Sequence, residues 1–127
     1  MKKFLIFLLI VAAVCYWSIN YVKTGKFQNY IDSNSKSAWA PKVQFDLGMV
    51  YYIILSDYKN AEYSFKHLME NYPKSSYRAE SLFQLGNLYE DTERRPEAKQ
   101  VYKQLLDEYP NYRKFAIVRK KIDYLNF

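Results

Sequence analysis

The feature that most constrains the fold of this chain is a pattern of residues that occurs twice. The motif Leu-Gly-x-x-Tyr begins at Leu47 and again, 38 residues later, at Leu85. A second pattern follows each copy, with a repeat offset of 37 residues: Ala61-x-x-x-Phe65 and Pro73 recur as Ala98-x-x-x-Tyr102 and Pro110. Self-similarity at a fixed period is typical of repeat architectures, so the chain contains two copies of one structural unit.

The small residues of each unit lie inside stretches that otherwise favour helix. Gly in a helix interior costs up to about 1 kcal/mol relative to Ala, a cost that is tolerable where two helices must approach closely. Gly48 and Gly86 are therefore interpreted as helix-packing residues, with the neighbouring aromatic side chains filling the space around the contact. Pro73 and Pro110 are expected to end the second helix of each unit, because proline disfavours helix at the residue before it.

The pattern predicts an all-α chain with five helices in its larger part. The expected spans are about 38–54, 58–72, 77–91, 95–109 and 113–126. The fifth span carries one apolar stripe, but it has Asp123 where a third unit would need its glycine. It is therefore predicted to be a capping helix at the end of the array.

These spaced residues resemble the signature of the tetratricopeptide repeat (TPR), over about residues 38–126. The resemblance implies a short α-solenoid made of two helix pairs plus a C-terminal capping helix, and a function in protein–protein interaction. The first unit departs from the family pattern, since Gln44 stands at a position where Trp is common and one extra residue separates Tyr51 from Ala61. The residues that match the family's packing positions are Leu47, Gly48, Tyr51, Ala61, Phe65, Pro73, Leu85, Gly86, Tyr89, Ala98, Tyr102 and Pro110.

The length and the residue pattern of the repeats are similar to those of one group within the family. The period of 37 leaves a longer connection after the first unit, where Asn-Tyr-Pro-Lys-Ser-Ser occupies residues 71–76. This stretch looks like repeats of bacterial periplasmic envelope proteins, such as outer-membrane assembly lipoproteins and cell-division coordinators. The resemblance implies a partner in an envelope complex.

The N-terminal residues form a membrane-targeting segment. Lys2 and Lys3 precede an apolar run from Phe4 to Val14, and mostly apolar residues continue to Val22. At about 1.5 Å per residue, this stretch spans roughly 28 Å, which is close to the thickness of the bilayer hydrocarbon core. The predicted organisation is a membrane anchor or signal segment at 1–23, a linker at 24–36 and a TPR-like helical domain at 37–127.

Three fates of this segment remain open at the sequence level. Retention as an uncleaved anchor is favoured, because Val14, Cys15, Tyr16 and Trp17 make a poor cleavage site for a signal peptidase. The alternatives are a cleaved signal and a lipoprotein acylated at Cys15, for which Val14 is an unusual preceding residue. In each case the domain is expected outside the cytoplasm, with a retained anchor crossing the cytoplasmic (inner) membrane once.

Composition argues against catalysis and metal binding. The chain has one Cys and one His, which is too few for a His/Cys metal site or a conventional catalytic triad, and no cofactor is expected. The net charge of +6 is concentrated at the two ends, with +4 in residues 1–26, −2 in residues 27–110 and +4 in residues 111–127. We therefore predict no nucleic-acid partner. The last helix has a basic face that is either solvated or contacts an acidic partner or lipid head groups: Arg113, Lys114, Arg119, Lys120 and Lys121.

The candidate partner surface lies on the first helices of the two units, on positions turned away from the glycines. These positions form a predicted aromatic groove with a polar rim: Lys42, Phe45, Met49 and Tyr52 in the first unit, and Phe83, Asn87 and Glu90 in the second. The competing interpretation is that Phe45 and Phe83 simply pack between neighbouring units. Glu80 and Glu90 are expected to repel a carboxylate ligand.

The sequence thus predicts a non-catalytic, membrane-anchored TPR module that acts as a scaffold or accessory subunit of a bacterial envelope complex. The alternative is a structural subunit that associates with copies of itself.

Overall fold

The computed structural model describes residues 1–126, and within them it contains helices and connecting turns without a strand. Two compact units divide the chain, one from Met1 to Ala40 and the other from Pro41 onward. The all-α class and the TPR-like helical solenoid predicted from the sequence are confirmed.

The first unit begins with helix α1, Lys2–Lys23. Every side chain from Met1 to Asn20 is exposed, and the helix is long and apolar enough to cross a membrane or to serve as a signal sequence. Gly25 has φ = 77°, a left-handed conformation that glycine adopts without steric cost, and it separates α1 from α2, Lys26–Ser33. Helix α2 thus occupies part of the stretch predicted to be a linker.

Aromatic side chains are prominent on either side of this break. Trp17 stacks on Tyr21 within α1, and the Tyr21 ring lies 6.3 Å from that of Phe27 at the start of α2. Tyr30 and Trp39 form a second stacked pair, with ring centroids 6.0 Å apart.

The second unit is an array of helices in which each packs against the next. The helices are α3, Ala40–Met49, which continues as a π-helical turn over Val50–Ile54; α4, Tyr58–Asn71; α5, Tyr77–Asp91; α6, Arg95–Glu108; and α7, Phe115–Leu125. Helix α5 is central, since it packs against both α4 and α6, and α7 packs against α6. Helix α5 therefore lies between α4 and α6, and α6 lies between α5 and α7.

The extra residue of the first repeat lies in the π-helical turn. There the Leu55 N–H donates to the carbonyl of Val50 at 3.0 Å, five residues back rather than the usual four. After this turn the two repeats coincide again: the N–H of Asp57 donates to the Tyr51 carbonyl, as that of Arg94 does to the Tyr89 carbonyl. The inter-helix turn thus keeps the same anchor in both repeats.

At each glycine, the backbone of the first helix of the pair lies directly against an aromatic ring of the second helix. A Cβ atom placed on Gly48 would lie 2.6 Å from the Phe65 ring, and one on Gly86 would overlap the Tyr102 ring still more. Phe65 and Tyr102 are fully buried. The other side chains of the predicted packing set that the structure buries are Leu47, Tyr51, Ala61, Leu85, Tyr89 and Ala98, whereas Pro73 and Pro110 follow the ends of α4 and α6 and are exposed.

A charged cluster around Glu62 on α4 joins this helix to α5 and to the turn after it. The Glu62 carboxylate accepts hydrogen bonds from Tyr89 at 2.8 Å, Arg94 at 2.7 Å and Lys66 at 2.6 Å. Burial alone would raise the pKa of Glu62, but these hydrogen bonds outweigh it and lower the pKa from 4.5 to about 2. The carboxylate therefore stays ionised down to strongly acidic pH.

The glycine–aromatic contact gives a stability prediction. We expect Gly86→Ala to lower the free energy of unfolding by about 1–2 kcal/mol, because overpacking costs about 1–3 kcal/mol and the helix propensity of Ala returns only part of it. Thermal unfolding of the full chain in mild detergent, followed by circular dichroism, measures the change. Gln100→Ala, at an exposed position of α6, is the matched control and should be close to neutral. A Gly86→Ala protein as stable as the parent would contradict close packing at this position.

Candidate protein-binding groove

The first helices of the two repeats and the segment that follows α6 enclose an open groove in the second unit. Its volume is about 640 Å³. The residues that line it are Phe45 and Met49 on α3, Ser76, Tyr77, Ala79, Glu80 and Gln84 at or near α5, and Asn111, Tyr112 and Arg113 before α7. The groove therefore contains apolar, aromatic, amide and charged groups within a short distance.

One wall of the groove is aromatic. The centroid of the Phe45 ring lies 5.6 Å from that of Tyr77 and 5.9 Å from that of the buried Phe65. Phe45 is half-buried, so it contributes to the core and still presents ring surface to the groove. Phe45 therefore both packs between the two repeats and lines the groove, so its position agrees with each of the two interpretations made from the sequence.

At one end of the groove, Glu80 binds the segment that leads into α7. Its carboxylate accepts hydrogen bonds from the Tyr112 hydroxyl at 2.6 Å, from Lys114 Nζ at 2.8 Å and from Arg113 at 3.3 Å. Burial alone would raise the pKa of Glu80, but the hydrogen bonds from Lys114 and Tyr112 outweigh it, so the pKa lies below its ordinary value of 4.5. Arg113 keeps 73% of its side chain exposed, so its charge remains available to a ligand.

At the other end of α5, a second hollow of about 330 Å³ contains two carboxylates. Glu90 accepts hydrogen bonds from the Tyr102 hydroxyl at 2.5 Å and from Lys121 Nζ at 2.7 Å, and Asp91 accepts one from the Tyr52 hydroxyl. Burial and the hydrogen bond to Glu90 raise the pKa of Tyr102, so its hydroxyl remains protonated and donates.

The two hollows belong to one surface, because Gln84 lines both. At the first hollow, the carboxylate Glu80 pairs with two cations, Arg113 in the lining and Lys114 beside it. The second has two carboxylates, Glu90 and Asp91, against the single cation Lys121. The surface therefore carries opposite net charges at ends that are eleven residues apart on α5, or about 16 Å at about 1.5 Å per residue.

The residues predicted to form the partner surface are only partly brought together. Phe45 and Met49 line the groove, whereas Lys42 forms an exposed ion pair with Asp46 at 2.5 Å. Tyr52 and Phe83 are 7% and 8% exposed, because their rings are packed inside the array.

The polar members of the predicted set are engaged within the chain. Phe83 packs on Tyr102 and Tyr112, with the Lys114 ammonium 4.1 Å from its ring centroid. Asn87 lies 2.7 Å from the Tyr102 hydroxyl. Together with the ion pair between Glu90 and Lys121, these contacts show that part of the predicted surface instead packs against α6, against α7 and against the segment between them.

The basic face predicted on the last helix is divided in the structure. Lys114 and Lys121 pair with Glu80 and Glu90, so their charges are compensated within the chain. Arg119 and Lys120 remain exposed. Glu80 and Glu90, which are expected from the sequence to repel a carboxylate ligand, pair in the structure with Lys114 and Lys121.

Gln84, Tyr77 and Tyr112 line the groove but were not identified from the sequence. Tyr112 was missed because its partner is 32 residues away on α5, and no local spacing encodes that pairing. Gln84 falls between the positions that the repeat offset selects. Within residues 1–126, no group of three or more His, Cys, Asp or Glu side chains is placed to hold a metal ion.

Comparison with known proteins supports the repeat assignment. Residues 80–112, which include most of α5 and all of α6, match the family model for the tetratricopeptide repeat. This match supports the TPR family, whose repeats generally mediate protein–protein interaction. No curated protein matches the chain.

The Glu80 cluster gives a pH prediction. Because the pKa of Glu80 is lower in the folded chain than its ordinary value, its stabilising effect is complete above about pH 4.5 and is lost as the pH falls through the folded-state pKa. We expect the protection of α7 amides against hydrogen exchange to decrease over this acidic range. Glu80→Gln should reduce that protection at neutral pH and flatten its pH dependence, whereas Glu70→Gln, at an exposed position of α4, should behave as the parent. Equal α7 protection in the parent and the Glu80→Gln protein would contradict the role of this cluster.

Proposed function

We propose that this chain is a membrane-anchored protein–protein interaction module that acts as a scaffold or accessory subunit of a bacterial envelope complex. The observation that carries the proposal is the groove between α3 and α5, which combines an aromatic wall with exposed groups of opposite charge at its two ends. The TPR match supports interaction with protein as the general activity.

The groove fits an extended segment of a partner protein. Extended chain rises about 3.3 Å per residue, so about five residues cover the roughly 16 Å between the two charged ends. An acidic side chain near Arg113 and a basic side chain near Asp91 would complement the net charges of those ends. Met49, beside the aromatic wall, offers a flexible apolar contact between them.

The anchoring part of the proposal rests on α1. Its apolar length suits a single span of the inner membrane, and Tyr16, Trp17 and Tyr21 lie near its C-terminal end, where aromatic side chains favour the membrane interface. A retained anchor places the TPR array in the periplasm, close to the membrane surface. Cys15 is exposed, which leaves acylation as the alternative means of attachment.

The groove is tested by a substitution at its centre. We expect Met49→Arg to reduce recovery of crosslinked partners by at least about tenfold, since loss of a hot-spot contact at the centre of an interface costs about 2 kcal/mol or more and about 1.4 kcal/mol is a factor of ten. The measurement is affinity purification of full-length protein from crosslinked membranes with quantitative mass spectrometry. Tyr63→Arg, at an exposed position of α4, is the matched control. Undiminished recovery with Met49→Arg, in a protein of unchanged helicity, would reject the groove as the partner site.

The anchor is tested by the mass and the extraction behaviour of the mature protein. We expect the mature chain to retain residues 1–23, to resist extraction from membranes at alkaline pH, and to be digested by protease added to cells whose outer membrane is opened. Cys15→Ser should leave all three results unchanged. A mature chain that lacks α1, or a lipid-sized mass increase that Cys15→Ser abolishes, would replace the anchor by cleavage or by acylation respectively.

A further inference from the structure

Another hollow lies between α6 and α7. Its volume is about 470 Å³, and its apolar floor consists of Leu106, Phe115 and Ile122. No helix among the described residues covers it. The groove between α3 and α5 shares no lining residue with this surface.

Four charged side chains surround this floor in a regular arrangement. Lys103 and Asp107 lie four residues apart on α6, and Arg119 and Asp123 lie four residues apart on α7. Residues at this spacing occupy the same helix face, about 6 Å apart along the axis. In each helix the basic residue precedes the acidic one. The rim carries two positive and two negative charges, so its net charge is zero.

These four side chains are exposed and form no ion pair within residues 1–126. Lys103 and Asp107, and likewise Arg119 and Asp123, do not pair with one another even though each two are four residues apart on one helix. Other carboxylates of the array, such as Glu62, Glu80 and Glu90, are engaged by cations from neighbouring elements. The rim of this hollow is therefore a place where both signs of charge remain available to another molecule.

The arrangement is self-complementary. In a two-fold dimer, residue i of one copy contacts residue j of the other and the reverse contact is also made. A two-fold axis that lies between the two copies, at right angles to α7 and level with the midpoint of Arg119 and Asp123, places each of these residues opposite the other in the second copy. Lys103 and Asp107 on α6 have the same spacing and order, so an axis at right angles to α6 pairs them with a second copy in the same way.

We propose that this surface, between α6 and α7, binds a second copy of the same chain. The apolar floors of the two copies, formed by Leu106, Phe115 and Ile122, face one another, and the four rim charges of each copy pair with those of the other. The contact is confined to one face of α6 and α7, whereas a stable interface buries at least about 1,000 Å² in total, so the dimer is expected to be weak and concentration-dependent. The inference does not rest on the groove, because the two surfaces are separate.

The experiment uses charge reversal on the full-length protein in mild detergent, with the dimer dissociation constant measured by analytical ultracentrifugation. Arg119→Asp and Asp123→Arg each place like charges opposite one another, and each should weaken the dimer by about tenfold or more. The double variant Arg119→Asp/Asp123→Arg recreates both pairs with exchanged signs and should return the dissociation constant to within about threefold of the parent. Lys120→Asp, an adjacent exposed change of the same charge difference as Arg119→Asp, is the control and should have a much smaller effect.

Failure of the double variant to restore the dimer would overturn the two-fold arrangement. A parent protein that is monomeric at every concentration, or a dimer unaffected by both single reversals, would overturn the proposal. A monomeric parent whose crosslinks to a different protein are lost on Arg119→Asp would assign the surface to that partner and would equally overturn self-association. Recovery of groove partners by the Met49 test is independent of all these outcomes.

Discussion

The close approach of helix pairs at Gly48 and Gly86 is the constraint on which the rest of the second unit depends. Each glycine leaves room for one aromatic ring of the following helix, and those rings, Phe65 and Tyr102, are fully buried. Tyr102 extends this contact into the polar network, because its hydroxyl reaches Asn87 and Glu90 on α5. The packing that holds α5 to α6 thus also sets where the charges of the α5 surface lie.

The position of α7 follows from charge pairing as much as from apolar packing. Val118 and Ile122 bury one stripe of the helix, while Lys121 and the preceding Lys114 bind carboxylates of α5. Tyr112, in the same segment as Lys114, also binds Glu80 and lines the groove. Helix α7 and the segment before it therefore close the end of the array and also shape the groove that we propose as a partner site.

Much of the fold can be predicted from the sequence, because helix periodicity and the spacing of small residues are local properties. The duplicated Leu-Gly-x-x-Tyr motif is enough to place helices close to the observed α3, α5 and the helices that follow them. The site could be predicted only in part. Phe45 and Met49 lie where helix geometry puts them, whereas the fates of Tyr52 and Glu90 depend on partners 39 and 31 residues away, respectively, that no local pattern encodes.

The turns between paired helices have a consequence for how the array folds. Ser56 and Glu93, at equivalent positions of the two repeats, have φ values of 49° and 59°, in a region that residues other than glycine rarely adopt. The backbone conformation of these turns is locally unfavourable, so packing of the helices on either side must hold them in place. A single helix pair cut from this chain would lack part of that support. Folding of the array is therefore expected to be cooperative, with each hairpin becoming stable only as its neighbours pack against it.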